Sequence, residues 1–281
     1  MLKTAGKIAL ARVLSKIIVG TRRLAGYGPD VRVRRHGINW DLNLQEGIDL
    51  SIYLLGAFER TTVRAYSSLI KENDTVLDIG ANIGAHALIL SQLVGAHGQV
   101  VAFEPTSYAC RKLHHMMELN PELATRIRLE QSMLVASSSE KLEPAIYSSW
   151  PLSDADELHA QHRGRLMDTS GATAMTLDDA VRHIGLKKID FIKLDVDGHE
   201  LSVLRGGEHV LKEFKPKMLL ELAPYSFSRG HEEFDSMLNL LRQHGYLLRQ
   251  LSNGRQLPQL SASVRAMIPY GSGINVLAEV S

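Results

Sequence analysis

The chain has 281 residues, of which 44% are hydrophobic and 22% charged, a composition typical of a folded domain with a sizeable core. Lys or Arg interrupts every apolar run before it reaches the length of a membrane span. The single cysteine, Cys110, excludes a disulfide framework and a thiolate-rich metal site. It is typical of a reducing compartment, so we expect a cytoplasmic protein.

Charge is unevenly distributed along the chain. Residues 1–36 carry nine Lys or Arg and a single Asp, so the remainder is mildly acidic although the whole chain has a net charge of +1. An acidic body argues against nucleic acid as a partner. Within residues 2–18, apolar side chains recur every three or four positions with basic ones between them, which predicts an amphipathic helix.

Three interpretations of this basic helix remain open. Its apolar face could pack on the rest of the chain or on a second copy of it. It could also lie on an anionic membrane, which would make the protein peripheral at the inner face. Its lack of acidic residues would also suit a targeting peptide, although it has no clear cleavage site.

The next elements are predicted from periodicity. Residues 31–44 alternate apolar and polar side chains around a His36-Gly37 turn, which predicts a β-hairpin, and residues 48–70 are predicted to be helical with a break near Gly56. Strands are then predicted at 75–79, 99–103, 126–129, 189–194, 218–222, 246–251 and 274–280. Helices are predicted at 82–94, 108–119, 200–214 and 232–244.

This alternation predicts an α/β fold with a doubly wound, mostly parallel sheet. We divide the chain into an N-terminal extension, 1–70, with the helices and hairpin, and a main domain, 71–281. Residues 135–172 form a polar insertion that is too long for a structural connection, so we expect it to be functional or mobile.

The stretch VLDIGANIGAH at 76–86 resembles a nucleotide-binding turn but departs from the dinucleotide pattern G-x-G-x-x-G. Counting from Gly80, the second glycine position is Asn82 and the third is Ala85. A side chain at the second position obstructs a pyrophosphate. Asp78, two positions before Gly80, would also repel a phosphate. A nicotinamide oxidoreductase is therefore disfavoured.

The same acid would attract a ligand that carries an ammonium group and no phosphate, such as S-adenosylmethionine. Glu104 ends the second strand, where a carboxylate can accept hydrogen bonds from both ribose hydroxyls. The two acids on adjacent strand ends indicate S-adenosylmethionine more specifically than either alone. In the alternative interpretation, Asp78 caps a helix and Glu104 is a solvated strand end.

A second cluster, IDFIKLDVDGHE at 189–200, comprises the fourth strand and the residues that follow it. In one interpretation Asp195 faces the transferable methyl group and orients a substrate hydroxyl. In another, Asp195 and Asp197 form the DxD pair with which a glycosyltransferase holds a divalent metal and a nucleotide sugar. In a third, Asp197 and Glu200 cap the next helix.

Two further residues are candidates for this site. His199 is a candidate general base, because its pKa lies near the working range, although a structural or metal-binding histidine remains an alternative. Glu221 ends the fifth strand and could form an oxygen cage with Asp195, for a metal ion or for substrate. A divalent metal is an alternative that the pattern does not favour.

DIGANIG, FEP, TLDD at 176–179 and DFIKLDVDGHELSVLRGGE at 190–208 together resemble the FkbM-type family of S-adenosylmethionine-dependent methyltransferases, over roughly residues 50–280. The resemblance implies a Rossmann-like class I methyltransferase sheet of seven strands in the order 3-2-1-4-5-7-6. It also implies a set of cofactor-lining residues: Asp78, Gly80, Asn82, Gly84 and Glu104, with Ser132 near the adenine.

The resemblance further implies O-methylation of a hydroxyl on a sugar, glycolipid or natural product. The hydroxyl would attack the methyl carbon in line, and a nearby base would take up its proton. We assign that role to Asp195 and His199, with Glu221 behind them, and predict that Trp150 stacks on a sugar ring. The rivals are a metal-dependent glycosyltransferase and a non-catalytic protein that binds the cofactor and serves as an assembly partner.

Overall fold

The computed structural model describes residues 4–148, 151–152, 164–227 and 230–280. The N-terminal part contains α1 (Thr4–Leu24), the antiparallel pair β1 (Asp30–Arg35) and β2 (Ile38–Asn43), α2 (Gly47–Leu55) and α3 (Arg60–Leu69). The predicted hairpin and the predicted break in the helical region are therefore confirmed. Gly56, with φ +82°, ends α2 in a left-handed conformation that glycine adopts without strain. No helix of the described part is long and apolar enough to cross a bilayer.

The remaining strands are β3 (Thr75–Ile79), β4 (Gln99–Phe103), β5 (Ile127–Glu130), β6 (Ser132–Leu134), β7 (Ala145–Ser148), β8 (Arg165–Asp168), β9 (Thr173–Met175), β10 (Phe191–Leu194), β11 (Lys217–Leu222), β12 (Tyr246–Gln250) and β13 (Ile274–Val280). The remaining helices are α4 (Ala87–Leu93), α5 (Ser107–Glu118), α6 (Pro121–Ala124), α7 (Leu177–Ile184), α8 (Glu200–Arg205), α9 (Glu208–Glu213), α10 (His231–Gln243) and α11 (Ser261–Met267).

Seven strands form the central sheet in the order β12-β13-β11-β10-β3-β4-β5. Neighbouring strands from β11 to β5 are parallel, and β13 lies antiparallel between β11 and β12. The expected class I methyltransferase order is therefore confirmed. The chain runs from β3 outward to β4 and β5 and then returns to β10 on the other side of β3. The gap between β3 and β10 is thus the topological switch point, where open α/β sheets bind ligands.

Alternate residues of the central strands pack into two cores. Leu77, Ile192 and Leu220 pack on the face covered by α7 to α10, and Val76 and Phe191 pack on the other face. The second core also contains apolar side chains of the β1–β2 hairpin, α2 and α3. The N-terminal extension therefore shares a core with the sheet, and the boundary after residue 70 stays a prediction.

Two helix predictions were inaccurate, and three helices were not predicted. The helix predicted at 82–94 begins only at Ala87, because the preceding turn contains positive φ angles. The helix predicted at 200–214 is two helices, α8 and α9, separated by Gly206 and Gly207. A Cβ atom on Gly206 would lie 2.2 Å from the carbonyl oxygen of Val135, so a neighbouring segment occupies the space of a side chain there. Helices α6, α7 and α11 were not predicted.

Candidate active site

A cavity of about 220 Å³ lies at the carboxyl ends of β3, β4 and β10. We call it the switch-point cavity. Seven residues singled out in the sequence line it: Gly80, Asn82, Glu104, Ser132, Asp195, Asp197 and His199. The fold therefore brings the glycine turn, the second strand end and the DVDGH segment together at one opening.

Gly80 allows the strand ends to approach each other. Its φ of +82° is in the left-handed region, and a Cβ atom there would lie 2.0 Å from the carbonyl oxygen of Asp195. The N–H groups of Gly80 and Ala81 both donate to the carbonyl oxygen of Phe103, at 3.0 Å each. The turn is thus fixed to β4 on one side and crossed closely by the segment after β10 on the other.

Glu104 is buried and held by its neighbours. Its Oε1 accepts hydrogen bonds from the Thr106 backbone N–H at 2.9 Å and hydroxyl at 2.5 Å, and its Oε2 accepts one from the backbone N–H of Asn82 at 2.9 Å. Burial raises the pKa of the Glu104 carboxyl, although these hydrogen bonds oppose the shift. Because Oε1 already has two donors, the remaining acceptor position lies on Oε2.

Asn82 lies between the switch-point cavity and a second cavity, which opens between α1 and α2. Its φ is +48°, its Oδ1 accepts a hydrogen bond from the backbone N–H of Ile83 at 2.9 Å, and its Nδ2 lies 3.4 Å from Ser148 Oγ. Ser148 belongs to β7, so the insertion at 135–172 contributes to the wall of the switch-point cavity. Asn82 thus connects the glycine turn with the insertion.

The remaining predicted cofactor residues, Ser132, Gly84 and Asp78, lie in three different environments. Ser132, 4% exposed, lines the switch-point cavity from β6. Gly84 packs against α5, since a Cβ atom there would lie 2.4 Å from Leu113 Cδ1. Asp78 is completely buried, and neither of its oxygens accepts a hydrogen bond within the described part of the chain. Direct contact of Asp78 and Gly84 with a ligand stays a prediction.

Lys193 neutralises the acids at the switch point. Its Nζ lies 3.6 Å from Asp78 Oδ1 and 3.4 Å from Asp195 Oδ2, and it donates to the carbonyl oxygen of Gly80 at 3.3 Å. Burial lowers the pKa of Lys193, but the charges of Asp195 and Asp78 outweigh it and raise the pKa above its ordinary value. The ammonium group therefore stays charged and links β3, the glycine turn and the end of β10.

Sequence reasoning missed Lys193 because it lies within the apolar run of a strand. Its signal is that a buried strand rarely contains a lysine unless the lysine is paired. The partner is visible only from the register, in which Lys193 lies opposite Asp78.

A second, larger cavity of about 600 Å³ opens on the other side of the glycine turn, between α1 and α2. We call it the α1–α2 cleft. It shares four wall residues with the switch-point cavity: Gly80, Asn82, Asp195 and Asp197. Lys193 and Glu221 line its inner end. The two cavities therefore meet at the acid cluster, and a ligand in one can approach a ligand in the other.

Glu221 is the acid most affected by this environment. Burial and the charges of Asp195 and Glu59 raise its pKa well above the ordinary value for a glutamate. A Cβ atom on Gly273 would lie 2.1 Å from Glu221 Oε1, so the missing side chain at this glycine makes room for the carboxyl group.

The segment after β10 is fixed by Glu200. The Glu200 carboxylate accepts hydrogen bonds from the backbone N–H groups of Val196, at 3.1 Å, and Gly198, at 3.1 Å to Oε2. Burial raises the pKa of Glu200 to about 7. Burial and the charges of Asp195 and Glu200 also raise the pKa of Asp197 to about 7, although water still reaches this side chain in the cavity wall. The Glu200 carboxylate therefore ties down the loop that carries Asp195; its donors precede α8, so it does not cap the first turn of that helix.

The candidate bases lie on different sides. His199 lines the switch-point cavity, Glu221 lines the cleft and Asp195 lines both. Desolvation by the surrounding protein lowers the pKa of His199, although its side chain remains exposed to solvent at the cavity wall. A second histidine, His86, lines the cleft, and its Nδ1 lies 3.0 Å from the hydroxyl oxygen of Tyr66. Burial lowers its pKa well below the ordinary value, so His86 is neutral. No sequence pattern distinguished it from a helix-start residue.

Two predictions concern metal and substrate. No group of three or more His, Cys, Asp or Glu side chains within the described residues converges to hold a metal ion. At the place predicted for such an ion, Asp195 is paired with the Lys193 ammonium. Trp150, predicted to contact a sugar, lies outside the described residues.

Comparison with known proteins places this site in a family. The FkbM methyltransferase-domain profile matches residues 78–248. The hexuronic acid methyltransferase AglP of Haloferax volcanii is 27% identical over 154 residues, which are 55% of this chain and 58% of that protein. This chain thus spans less than two thirds of that relative's length.

Two solved structures are similar at low identity. One is the FkbM methyltransferase of Methylobacillus flagellatus, with a TM-score of 0.48 and 19% identity, covering 79% of this chain and 48% of that one. The other is the fibrillarin of Aeropyrum pernix with natively bound S-adenosyl-L-methionine, with a TM-score of 0.46 and 13% identity, covering 89% and 82%.

The profile spans more than half of the chain, from the β3 strand end to β12, and includes the glycine turn, Glu104 and the segment after β10. The chain therefore belongs to the FkbM family of S-adenosylmethionine-dependent methyltransferases.

Proposed function

We propose that the protein transfers the methyl group of S-adenosylmethionine to a hydroxyl of a sugar, glycolipid or natural-product acceptor. The observation that carries this proposal is the pair of cavities that meet at Asp195. One ends at the buried Glu104 carboxylate and the other contains Glu221. A two-substrate transfer needs this arrangement, since the reacting groups must meet while their remaining parts lie apart.

The switch-point cavity fits a nucleoside. At about 220 Å³ it lies below the roughly 300–1,000 Å³ of typical ligand pockets, so we assign it the adenosine half of the cofactor alone. The free acceptor position on Glu104 suits a ribose hydroxyl, and Ser132 would lie near the base. The methionine half would extend past Gly80 and Asn82 towards the cleft, where Asp78 attracts its ammonium from beneath.

When bound, the cofactor supplies an electrophilic methyl group on a good leaving group. The residues of the chain then have to orient a hydroxyl and accept its proton. Asp195 lies where the cavities meet and would accept a hydrogen bond from the hydroxyl, while Lys193 holds its carboxylate in place. Glu221 takes up the proton when it is ionised, and His199 and His86 are the neighbouring bases.

A glycan acceptor is favoured by two observations. The matched relative AglP is named as a hexuronic acid methyltransferase. Asp195 and Glu221 can both accept hydrogen bonds from sugar hydroxyls. We retain Trp150 as the residue that stacks on the sugar, and a cytoplasmic location with α1 as a membrane or self-association element.

A metal-dependent glycosyltransferase is less well supported. A divalent ion bound between Asp195 and Asp197 would have to approach the Lys193 ammonium, which lies 3.4 Å from Asp195 Oδ2. We therefore do not assign Asp195 and Glu221 to a metal.

Calorimetric titration with S-adenosylhomocysteine tests the cofactor assignment. We expect the wild type to bind, Glu104→Ala to weaken binding by roughly 100-fold because a charged acceptor is lost, and Asp78→Ala to weaken it less. Glu122→Ala, which removes an exposed carboxylate from α6, is the control and should bind as the wild type does. Binding of manganese and a nucleotide sugar, but not of S-adenosylhomocysteine, would reverse the assignment.

Transfer of labelled methyl from S-adenosylmethionine to a panel of glycans tests the reaction. The proposal expects label in at least one hydroxyl-bearing acceptor and its loss in Asp195→Asn. Tight S-adenosylhomocysteine binding with no transfer to any acceptor would favour the non-catalytic alternative.

A further inference from the structure

We propose that the α1–α2 cleft holds a hydrocarbon chain of an amphiphilic acceptor, whose hydroxyl-bearing head reaches Asp195 and Glu221. This inference rests on the proposed function, since it names the class of acceptor for the same site. The occupant of the cleft is a single acyl-like or prenyl-like chain with a polar head.

The walls of the cleft are apolar on both sides. Helix α1 contributes four apolar residues and α2 another four: Ile8, Leu10, Ala11 and Leu14, and Ile48, Leu50, Leu54 and Leu55. A free sugar would leave these walls in contact with water or unmatched polar groups, whereas a hydrocarbon chain would remove their apolar surface from water, which is favourable.

The cleft changes character along its depth. Leu10 is 52% exposed, Leu54 is 43% exposed and Leu55 is 52% exposed, so the outer part presents leucines to solvent. The inner end carries Lys193 and the acids described above. The cleft is thus apolar near its opening and charged at its inner end, which is complementary to an amphiphile that enters head first.

The size of the cleft argues against a protein segment. A helix about 10 Å wide fills roughly 120 Å³ per residue, from its diameter and rise. The cavity of about 600 Å³ would therefore accommodate roughly one helical turn, too little for a helix from a second copy. A hydrocarbon chain with a sugar-sized head is narrower and suits a cavity that reaches the acids.

The apolar surface continues from the opening of the cleft along α1. Leu10, Val13 and Ile17 lie at helical spacing on one side and are 52%, 55% and 57% exposed. Ser15 and Val19 on the opposite side are buried against the body, and Ser15 Oγ donates to the carbonyl oxygen of Leu44 at 2.7 Å. Helix α1 is thus anchored by one face and leaves a second apolar face beside the opening.

The test uses n-dodecyl β-D-maltoside, below its micelle-forming concentration, as the amphiphile and maltose as the matched head group. Calorimetry should detect binding of the maltoside and no binding of maltose over the same range. Leu54→Arg and Leu10→Arg should each weaken maltoside binding by about tenfold or more, because each places a charge in the apolar part.

Leu24→Arg is the matched control. It makes the same change on α1 at a residue that is 91% exposed and lies at the far end of the helix. It should bind the maltoside within about twofold of the wild type. All three variants should bind S-adenosylhomocysteine as the wild type does, which shows that they fold and keeps this test separate from that of the cofactor.

Equal binding of maltoside and maltose would overturn the proposal. Equal losses of maltoside affinity in Leu24→Arg and Leu54→Arg would also overturn it, since the maltoside would then be adsorbing to the helix surface. Maltoside binding that disappears when the protein is diluted until it is monomeric would overturn it as well. Co-flotation of the protein with phosphatidylcholine–phosphatidylglycerol vesicles distinguishes two sources of the hydrocarbon chain. Flotation indicates a chain taken from a bilayer, and no flotation indicates a free amphiphile. If maltoside binding is intact, either result supports the assignment of the α1–α2 cleft to a hydrocarbon chain.

Discussion

The two cavities of this protein are lined by different kinds of groups from different parts of the chain. The switch-point cavity is formed by strand ends, backbone N–H groups and a buried carboxylate, all within the family match at 78–248. The α1–α2 cleft takes most of its apolar wall residues from 8–58, outside that match. On the proposed function, the shared part of the chain binds the cofactor and the N-terminal helices select the acceptor. The acids between the cavities belong to the shared part.

The largest effect is expected from the cation between the two cavities. Lys193→Met should destabilise the fold by about 3–5 kcal/mol, because it leaves the buried Asp78 and the partly exposed Asp195 without a positive charge between them. Urea unfolding measures the loss, and Lys187→Met, at an exposed lysine in the loop after α7, should change stability by less than about 0.5 kcal/mol. If both substitutions have equally small effects, Lys193 does not hold the acids together.

Adding Asp78→Asn to Lys193→Met should restore part of the lost stability, since one of the two unpaired charges is removed. Additive losses in this cycle would contradict the pairing seen at 3.6 Å.

Gly80→Ala should disturb the switch-point cavity next most strongly. Gly185, in the loop after α7, has φ +79° and open space around it, so Gly185→Ala adds only the conformational strain of about 1 kcal/mol. Gly80→Ala adds the same strain and also forces the Asp195 carbonyl away, which should cost about 2–3 kcal/mol more. It should also weaken S-adenosylhomocysteine binding. Equal losses of stability for the two variants would show that the close approach to Asp195 is unimportant.

The Glu200 carboxyl should make stability depend on pH. Its pKa is about 7 in the folded protein and about 4.5 in the unfolded chain, so the folded state holds the proton more tightly. Its contribution is therefore complete below pH 4.5 and is lost as the pH rises towards 7, by about 3 kcal/mol at most. Thermal unfolding of the wild type and Glu200→Gln across this range measures it. A slope that is unchanged in Glu200→Gln must come from other groups.

The smallest effect is expected at the inner end of the cleft. Gly273→Ala places a Cβ atom against Glu221 Oε1 and should move that carboxyl group, which would weaken dodecyl maltoside binding by about threefold and leave S-adenosylhomocysteine binding unchanged. Gly28→Ala, where nothing lies within 4 Å of the added atom, is the control. A loss of cofactor affinity in Gly273→Ala would mean that the two cavities are not independent.

The strands of the sheet could be predicted from sequence because the central ones are buried on both faces and read as short, mainly apolar runs. Residues 75–79 and 99–103 coincide with β3 and β4. The start of α4 was predicted five residues too early, since the conformation of Asn82 depends on its hydrogen bonds and not on local propensity.

The cofactor side of the site was also accessible from sequence, because its residues follow directly after strands whose carboxyl ends must meet at one edge. Lys193 was missed because its partners lie on β3 and in the loop after β10. The cleft could not be predicted because it exists only once α1 packs beside α2, a contact for which residues 1–30 carry no pattern beyond amphipathicity.

The most direct test of the central claim is a crystal structure of the protein with S-adenosylhomocysteine. We predict electron density for the adenosine in the switch-point cavity, with a ribose hydroxyl on Glu104 Oε2 and the sulfur directed past Asn82 towards Asp195, while the α1–α2 cleft stays free for an acceptor. Density for the nucleoside between α1 and α2, among the leucines of the cleft, would contradict the assignment of the two cavities.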